Sequence, residues 1–175
     1  MAGPQTDYFR SPDGSVVNSS AVIFTEVDNT KPFAFTANVQ PNFTKPGTYS
    51  AGVLYAYEND TYCQKLCFEQ DEYGVHRVVS VRTIGTSDDN NHQAIIGRYV
   101  YMRLSSDGTT LGSYFSEDGN IWHMARLYKN DFPKKLLLGL SSQGPKADAH
   151  TSYFPELSLT HEAVPNFRIG NLDGE

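Results

Sequence analysis

No run of basic residues occurs in this 175-residue chain, and its formal net charge is −6. The electrostatic footprint that nucleic acid or an anionic membrane surface requires is therefore missing. No stretch approaches the ~20 consecutive apolar residues of a membrane span. No window of helical period runs long enough to compete with short strands. Met1–Asp7 has neither the basic nor the apolar region of an export signal. Cysteine is scarce: Cys63 and Cys67 are the two present. Both fall in Tyr62–Glu69, which reads as a strand. Four strand residues span ~13 Å, whereas a disulfide needs Cα atoms within ~7 Å. Two free thiols are expected, and these favour a reducing compartment, hence a cytoplasmic location. Glycosylation-type triplets at Asn18, Asn42 and Asn59 point the other way. In a chain rich in Asn, Ser and Thr such triplets arise by chance, so the thiols weigh more.

The common catalytic signatures are also missing. There is no P-loop, no Gly-x-Gly-x-x-Gly, no His-Glu-x-x-His and no Gly-x-Ser-x-Gly. Cys63-x-x-x-Cys67 lacks the further cysteines of a zinc site. His76, His92, His123, His150 and His161 are scattered and read as surface or turn residues.

What the chain does have is aromatic surface and turns. Aromatics make up 13% of it, with 11 Tyr and 10 Phe, which suits a pleated, half-buried sheet. Apolar residues fall in short runs broken by Gly, Pro, Asn and Asp. Strands are expected at Val22–Glu26, Phe33–Val39, Gly52–Tyr57, Tyr62–Glu69, Val75–Ile84, Tyr99–Ser105, Leu111–Ser116, Trp122–Leu127, Leu136–Ser142 and Thr151–Leu159. Asp107-Gly108 and Asp118-Gly119 sit between strand runs and predict hairpin turns. The fold class is thus all-β, a two-sheet antiparallel sandwich. The length suits one domain over 1–175, with a core of about residues 7–160. Residues 161–175 read as a loosely held tail.

Alternation divides each strand into an apolar and a polar face. Leu66 and Phe68 oppose Lys65, Cys67 and Glu69. Val79 and Val81 oppose Ser80 and Arg82. Val100, Met102 and Leu104 oppose Tyr101 and Arg103. Leu138 and Leu140 oppose Ser141 and Gln143. The polar residues suggest one ligand-binding face. Lys65, Glu69, Arg82, Arg103 and Gln143 could bond sugar hydroxyls there, while Tyr101, Tyr114 or Trp122 stacks on a sugar ring. An ordinary wet outer face is the alternative reading. Glu69 is also the candidate catalytic acid or base, with Lys65 or Arg103 tuning it and Glu58 as a possible second carboxylate. Asp88, Asp89 and Asn90 form an acidic loop that could hold Ca²⁺ through oxygen ligands, although a turn bonding its own backbone suits them better. Ser116–Trp122 resembles the Asp-box of sialidase-type propellers. It occurs once and lacks a residue between Asp118 and Gly119, so a simple hairpin turn is expected.

Several segments in order resemble one family. Asp7–Gly14 looks like its opening, and Phe35–Val39 with Tyr49–Leu54 like its first strand pair. Lys65–Glu69, Val78–Val81, Ser87–Asn90 and Tyr101–Ser105 continue it. Tyr114–Trp122 and Gly139–Pro145 close it. Together they are similar to the concanavalin-A-like domain-of-unknown-function family thirteen forty-nine, which includes the yeast "regulation of enolase" protein. Met102 and Gly144 depart from its pattern without removing a polar-face residue. The resemblance implies a concanavalin-A-like jelly roll, related to accessory modules beside xylosidase-type catalytic domains. It implies glycan or small-sugar recognition, with a protein-interaction or regulatory role and a glycan-active enzyme as alternatives.

Overall fold

A computed structural model describes residues 1–173. Among them there is no α-helix, and therefore no helix able to cross a membrane. Fourteen strands form two six-stranded antiparallel sheets and a small hairpin. Sheet I has the order β3 (Val22–Asp28), β12 (Lys135–Gln143), β5 (Ala51–Asn59), β6 (Tyr62–Gln70), β7 (His76–Ile84) and β8 (Thr86–Ala94). Sheet II has the order β11 (His123–Lys129), β10 (Thr110–Ser116), β9 (Val100–Ser106) and β4 (Phe33–Pro41). Both β13 (Ser152–Tyr153) and β14 (Leu157–Thr160) pair with the far edge of β4. The hairpin is β1 (Tyr8–Arg10) and β2 (Val16–Asn18).

Of the apolar set predicted from alternation, Leu66, Phe68, Val100, Met102, Leu104, Leu138 and Leu140 pack between the sheets, whereas Val79 and Val81 lie on the outer face of sheet I. Leu54, Leu66, Phe68, Val78 and Leu138 of sheet I meet Phe35, Val39, Met102, Leu104 and Phe115 of sheet II. Leu54, Leu66, Met102 and Leu104 have no exposed surface. Removing such a side chain costs ~2–5 kcal/mol through lost transfer energy and the cavity left behind. The β9–β10–β11 meander is the one expected, with both Asp-Gly turns in place. At the first, the Asp107 carboxylate accepts from the amides of Thr109 and Thr110 at 2.8 and 2.7 Å, and Gly108 takes φ +92°. At the second, Asp118 accepts from Asn120 and Ile121, and the Trp122 indole donates to the Gly119 carbonyl. These bonds make Ser116–Trp122 a backbone-fixing turn.

Three elements differ from the sequence reading. The acidic cluster Ser87–Asn91, expected as a loop, lies within the edge strand β8, which pairs with β7. Neither of its faces is apolar, so alternation gives no strand signal there. The short β1–β2 hairpin was also not expected; it lies on sheet I, where Tyr8 packs among Val53, Tyr55, Cys63 and Val81. The stretch after residue 160 is not loose. Val164 is buried, and Phe167 and Leu172 pack with Tyr114 and Trp122 on sheet II. Of the expected tail, residues 174 and 175 lie outside the described residues.

Candidate functional site

Strand register lays out the outer face of sheet I in rows. Gln143, Ala51 and Glu69 lie side by side on β12, β5 and β6. The next row of that face is Ser141, Val53, Cys67, Val79 and Asn91. The row after it is Gly139, Tyr55, Lys65, Val81 and Asp89. Small apolar side chains thus make a floor, and Gln143, Glu69, Lys65, Asp89 and Asn91 stand around it. The β1–β2 hairpin and the segment before it wall one side through Asp7 and Phe9. Tyr49 and the β6–β7 turn at Glu72 wall another. The result is a pocket of about 380 Å³.

Lys65 is buried and held. Its Nζ donates to the Tyr8 carbonyl at 2.6 Å and to Gln143 Oε1 at 3.4 Å, and lies 3.6 Å from Asp7 Oδ1. Burial disfavours its charge, but Cys67, Asp7, Glu69 and Asp89 outweigh burial and hold the ammonium above its ordinary value. Glu69 is only partly exposed, and among the described residues its carboxyl has no hydrogen-bond partner. Burial pushes its carboxyl up to about 8; Lys65 opposes this, while Asp89, Asp7 and Glu72 add to it. This shift favours the protonated form of Glu69 at neutral pH. Burial also raises Asp89, against the pull of Lys65 and Arg126. Asp71, at the rim, is instead committed to Arg77 at 2.7 Å.

The structure brings together Lys65, Glu69 and Gln143 and separates the other expected site residues. Leu66 and Phe68 point inward, as do Met102 and Leu104. Lys65 and Glu69 must then face out of sheet I, while Arg103 and Tyr101 face out of sheet II, on the opposite side of the sandwich. Arg103 cannot tune Glu69 from there. It donates to the Gly170 carbonyl at 2.6 Å and to Thr36 Oγ1 at 2.8 Å, and stacks 3.7 Å from the Trp122 ring centre. Tyr114 is fully buried and donates to the Phe167 carbonyl at 2.8 Å. The C-terminal segment thus fills the face that was expected to stack a sugar. Tyr101 stays partly open there and donates to Glu156.

Arg82 is displaced in a different way. Its strand alternates as expected, but the facing is reversed: Val79 and Val81 floor the pocket, and Ser80 and Arg82 point between the sheets. That end of the interior is polar, and Arg82 stacks on Tyr128 of β11. Glu58 is exposed near the end of β5, away from the Glu69 pocket. Being consecutive on a strand, Asp88 and Asp89 diverge. Asp88 binds Arg126 and Asp89 lines the pocket. They form neither the self-bonding turn that was expected nor the Ca²⁺-holding loop offered as its alternative, and among the described residues no three His, Cys, Asp or Glu are placed to hold a metal ion. Cys63 and Cys67 are free and buried.

The family comparison gives the fold its place. The family described as "protein of unknown function (DUF1349)" matches residues 1–162. The chain belongs to this family. No curated protein sequence matches it. A functionally unknown protein of Saccharomyces cerevisiae is similar in structure, with TM-score 0.80 and 23% identity over 91% of this chain and 84% of that one. A xylan beta-1,4-xylosidase of Bacillus halodurans matches with TM-score 0.67 and 14% identity, over 91% of this chain and 32% of that one. A GH43 protein of Bacillus licheniformis matches with TM-score 0.63 and 11% identity, over 82% of this chain and 33% of that one. The DUF1349 chain thus spans about a third of each of these two Bacillus chains. At such identities the likeness is one of fold, a concanavalin-A-like sandwich.

Two pocket residues had weaker signals in the sequence. Tyr49 is partly exposed with φ +65°, a conformation costly for a non-glycine residue and concentrated at ligand sites. Phe9 lies in the family's opening segment, but nothing in the sequence places its hairpin over sheet I.

Proposed function

We propose that this DUF1349 chain recognises carbohydrate in the pocket on the outer face of sheet I. One observation carries the reading. The side chains of Glu69, Asp89 and Asn91 line it with no protein hydrogen-bond partner among the described residues, beside the aromatic rings of Phe9 and Tyr49. A sugar presents the complement: several hydroxyls to bond polar groups, and a C–H face to lie on an aromatic ring. The volume is at the lower end of the ~300–1,000 Å³ usual for small-molecule sites, which favours a short glycan end over a long chain. With Glu69 protonated and Asp71 paired to Arg77, Asp7, Glu72 and Asp89 still outnumber Lys65, so neutral glycans and amino sugars fit better than uronates.

Strand geometry favours binding over hydrolysis. Glu69 and Asp89 lie two strands and four residues apart, so their Cα atoms are separated by roughly 16 Å at normal spacings. That puts the carboxyls at the far end of the ~6.5–9.5 Å range of inverting glycosidases, or past it. The xylan-directed names of the structural neighbours make xylo-oligosaccharides the first ligands to test. A broad glycan array followed by calorimetry should give at least one ligand, with affinity reduced in Glu69→Gln and Gln143→Ala. An array without a sugar ligand overturns the reading, and release of reducing sugar would replace it with catalysis.

A further inference from the structure

We propose that the cleft between the edge strands β8 and β11 is a second site, which binds a compact oxyanion, phosphate or carboxylate. This goes beyond sugar recognition and uses the other side of β8. The cleft has a volume of about 490 Å³ and is lined by Arg82, Arg126, Arg168, Asp88, Asp89 and Tyr128, among others; Asp89 borders the sugar pocket as well. In a chain of net charge −6, three guanidiniums against two carboxylates leave this cleft with a local positive excess.

The three arginines are not equivalent. Arg126 is committed to the protein. Its Nε donates to Ser80 Oγ at 2.8 Å, its Nη1 to Asp88 Oδ2 at 3.1 Å and its Nη2 to the Asp88 carbonyl at 2.9 Å. Asp88 is thereby neutralised. Arg82 is held but unpaired. Its guanidinium lies 3.9 Å from the Tyr128 ring centre, and Tyr128 is itself anchored by Gln64. Among the described residues Arg82 has no ion-pair partner, and its Nε is buried without a hydrogen bond. A buried donor left unmade is costly, and an oxyanion on the guanidinium edge supplies what it lacks. Stacking fixes the planar fork in advance, which suits two-point recognition of phosphate or carboxylate. Arg168 is exposed on the C-terminal segment, where its amide donates to Asn166 Oδ1 at 2.9 Å. It adds a second positive charge at the mouth.

The test is calorimetry and thermal shift on the full chain with inorganic phosphate and with acetate, in separate arms, against chloride at matched ionic strength. Saturable binding of either oxyanion, exceeding chloride, supports the site, and the arm that responds identifies its source. Arg82→Met keeps the packing on Tyr128 and should weaken binding roughly tenfold or more, the scale of one charge-assisted bond. Arg168→Ser lies at the surface and should weaken it severalfold, which decides the matter if Arg82→Met fails to fold. Glu69→Gln should leave oxyanion binding unchanged, which separates this site from the sugar pocket. Responses no larger than chloride, or wild-type binding by a folded Arg82→Met, overturn the proposal.

Discussion

Glu69→Gln should stabilise the protein in alkali and leave it unchanged in acid. The carboxyl, ordinarily at 4.5, is pushed up to about 8 by burial. At ~1.4 kcal/mol per pH unit this displacement corresponds to about 5 kcal/mol. The pocket opens to solvent, so screening reduces the effect to the order of 2–4 kcal/mol. The sign follows from proton linkage. Below pH 4.5 the folded and unfolded chains both hold the proton, and Glu69 contributes nothing to the pH dependence. Between pH 4.5 and 8 the unfolded chain releases it while the folded chain keeps it, so stability falls as pH rises. Above pH 8 the folded chain carries the full cost of a buried carboxylate. Gln cannot ionise and escapes this fall. Lys65 keeps Tyr8, Gln143 and Asp7 in the variant, so no new buried charge is left alone. Urea unfolding at pH 4, 6 and 9 reads the difference as a shift in midpoint at constant slope. The variant's advantage should be near zero at pH 4 and largest at pH 9. A difference that is flat with pH, or a variant less stable than wild type at pH 9, refutes the reasoning.

Three further outcomes follow from the same geometry. Tyr49→Gly removes a left-handed non-glycine residue, so it should raise stability by ~1 kcal/mol in urea unfolding while weakening glycan binding at least severalfold by calorimetry. Arg103→Met loses the Gly170 and Thr36 bonds and the stacking on Trp122. It should cost ~2–4 kcal/mol and open residues 161–173 to limited proteolysis, without changing glycan affinity. Cys63 and Cys67 are fully buried, and burial raises both thiols. Both should resist alkylation in the native protein and react on unfolding, as read by mass spectrometry.

The sandwich was legible because its core strands alternate. Leu66/Phe68, Met102/Leu104 and Leu138/Leu140 each mark an inward face, and the Asp-Gly turns mark the meander. The site was legible only in half. Lys65, Glu69 and Gln143 belong together because β5 lies between β6 and β12, bringing Glu69 and Gln143 into one row. Alternation tells which residues share a face of one strand; it does not tell which of two sheets that strand joins. Arg103 and Glu69 look alike by that measure and end on opposite sides of the molecule. Arg82 was misplaced because the sandwich interior turns polar near β8 and β11, so its inward residues read as outward ones. Strand β8 itself escaped notice because one face serves that polar end and the other serves the pocket. Gly170 shows how the second face was lost. A Cβ there would stand 2.4 Å from Tyr114 Cδ1, a fit that draws the C-terminal segment onto sheet II and appears in no local pattern.

The central claim is the location of glycan binding, and chemical-shift mapping with a glycan found on the array tests it most directly. Perturbed amides should cluster at Tyr49, Cys67, Glu69, Val79, Asp89 and Asn91, with the single Trp122 indole unchanged. Shifts centred on Tyr101 and Trp122, or no shifts at saturating glycan, would contradict it.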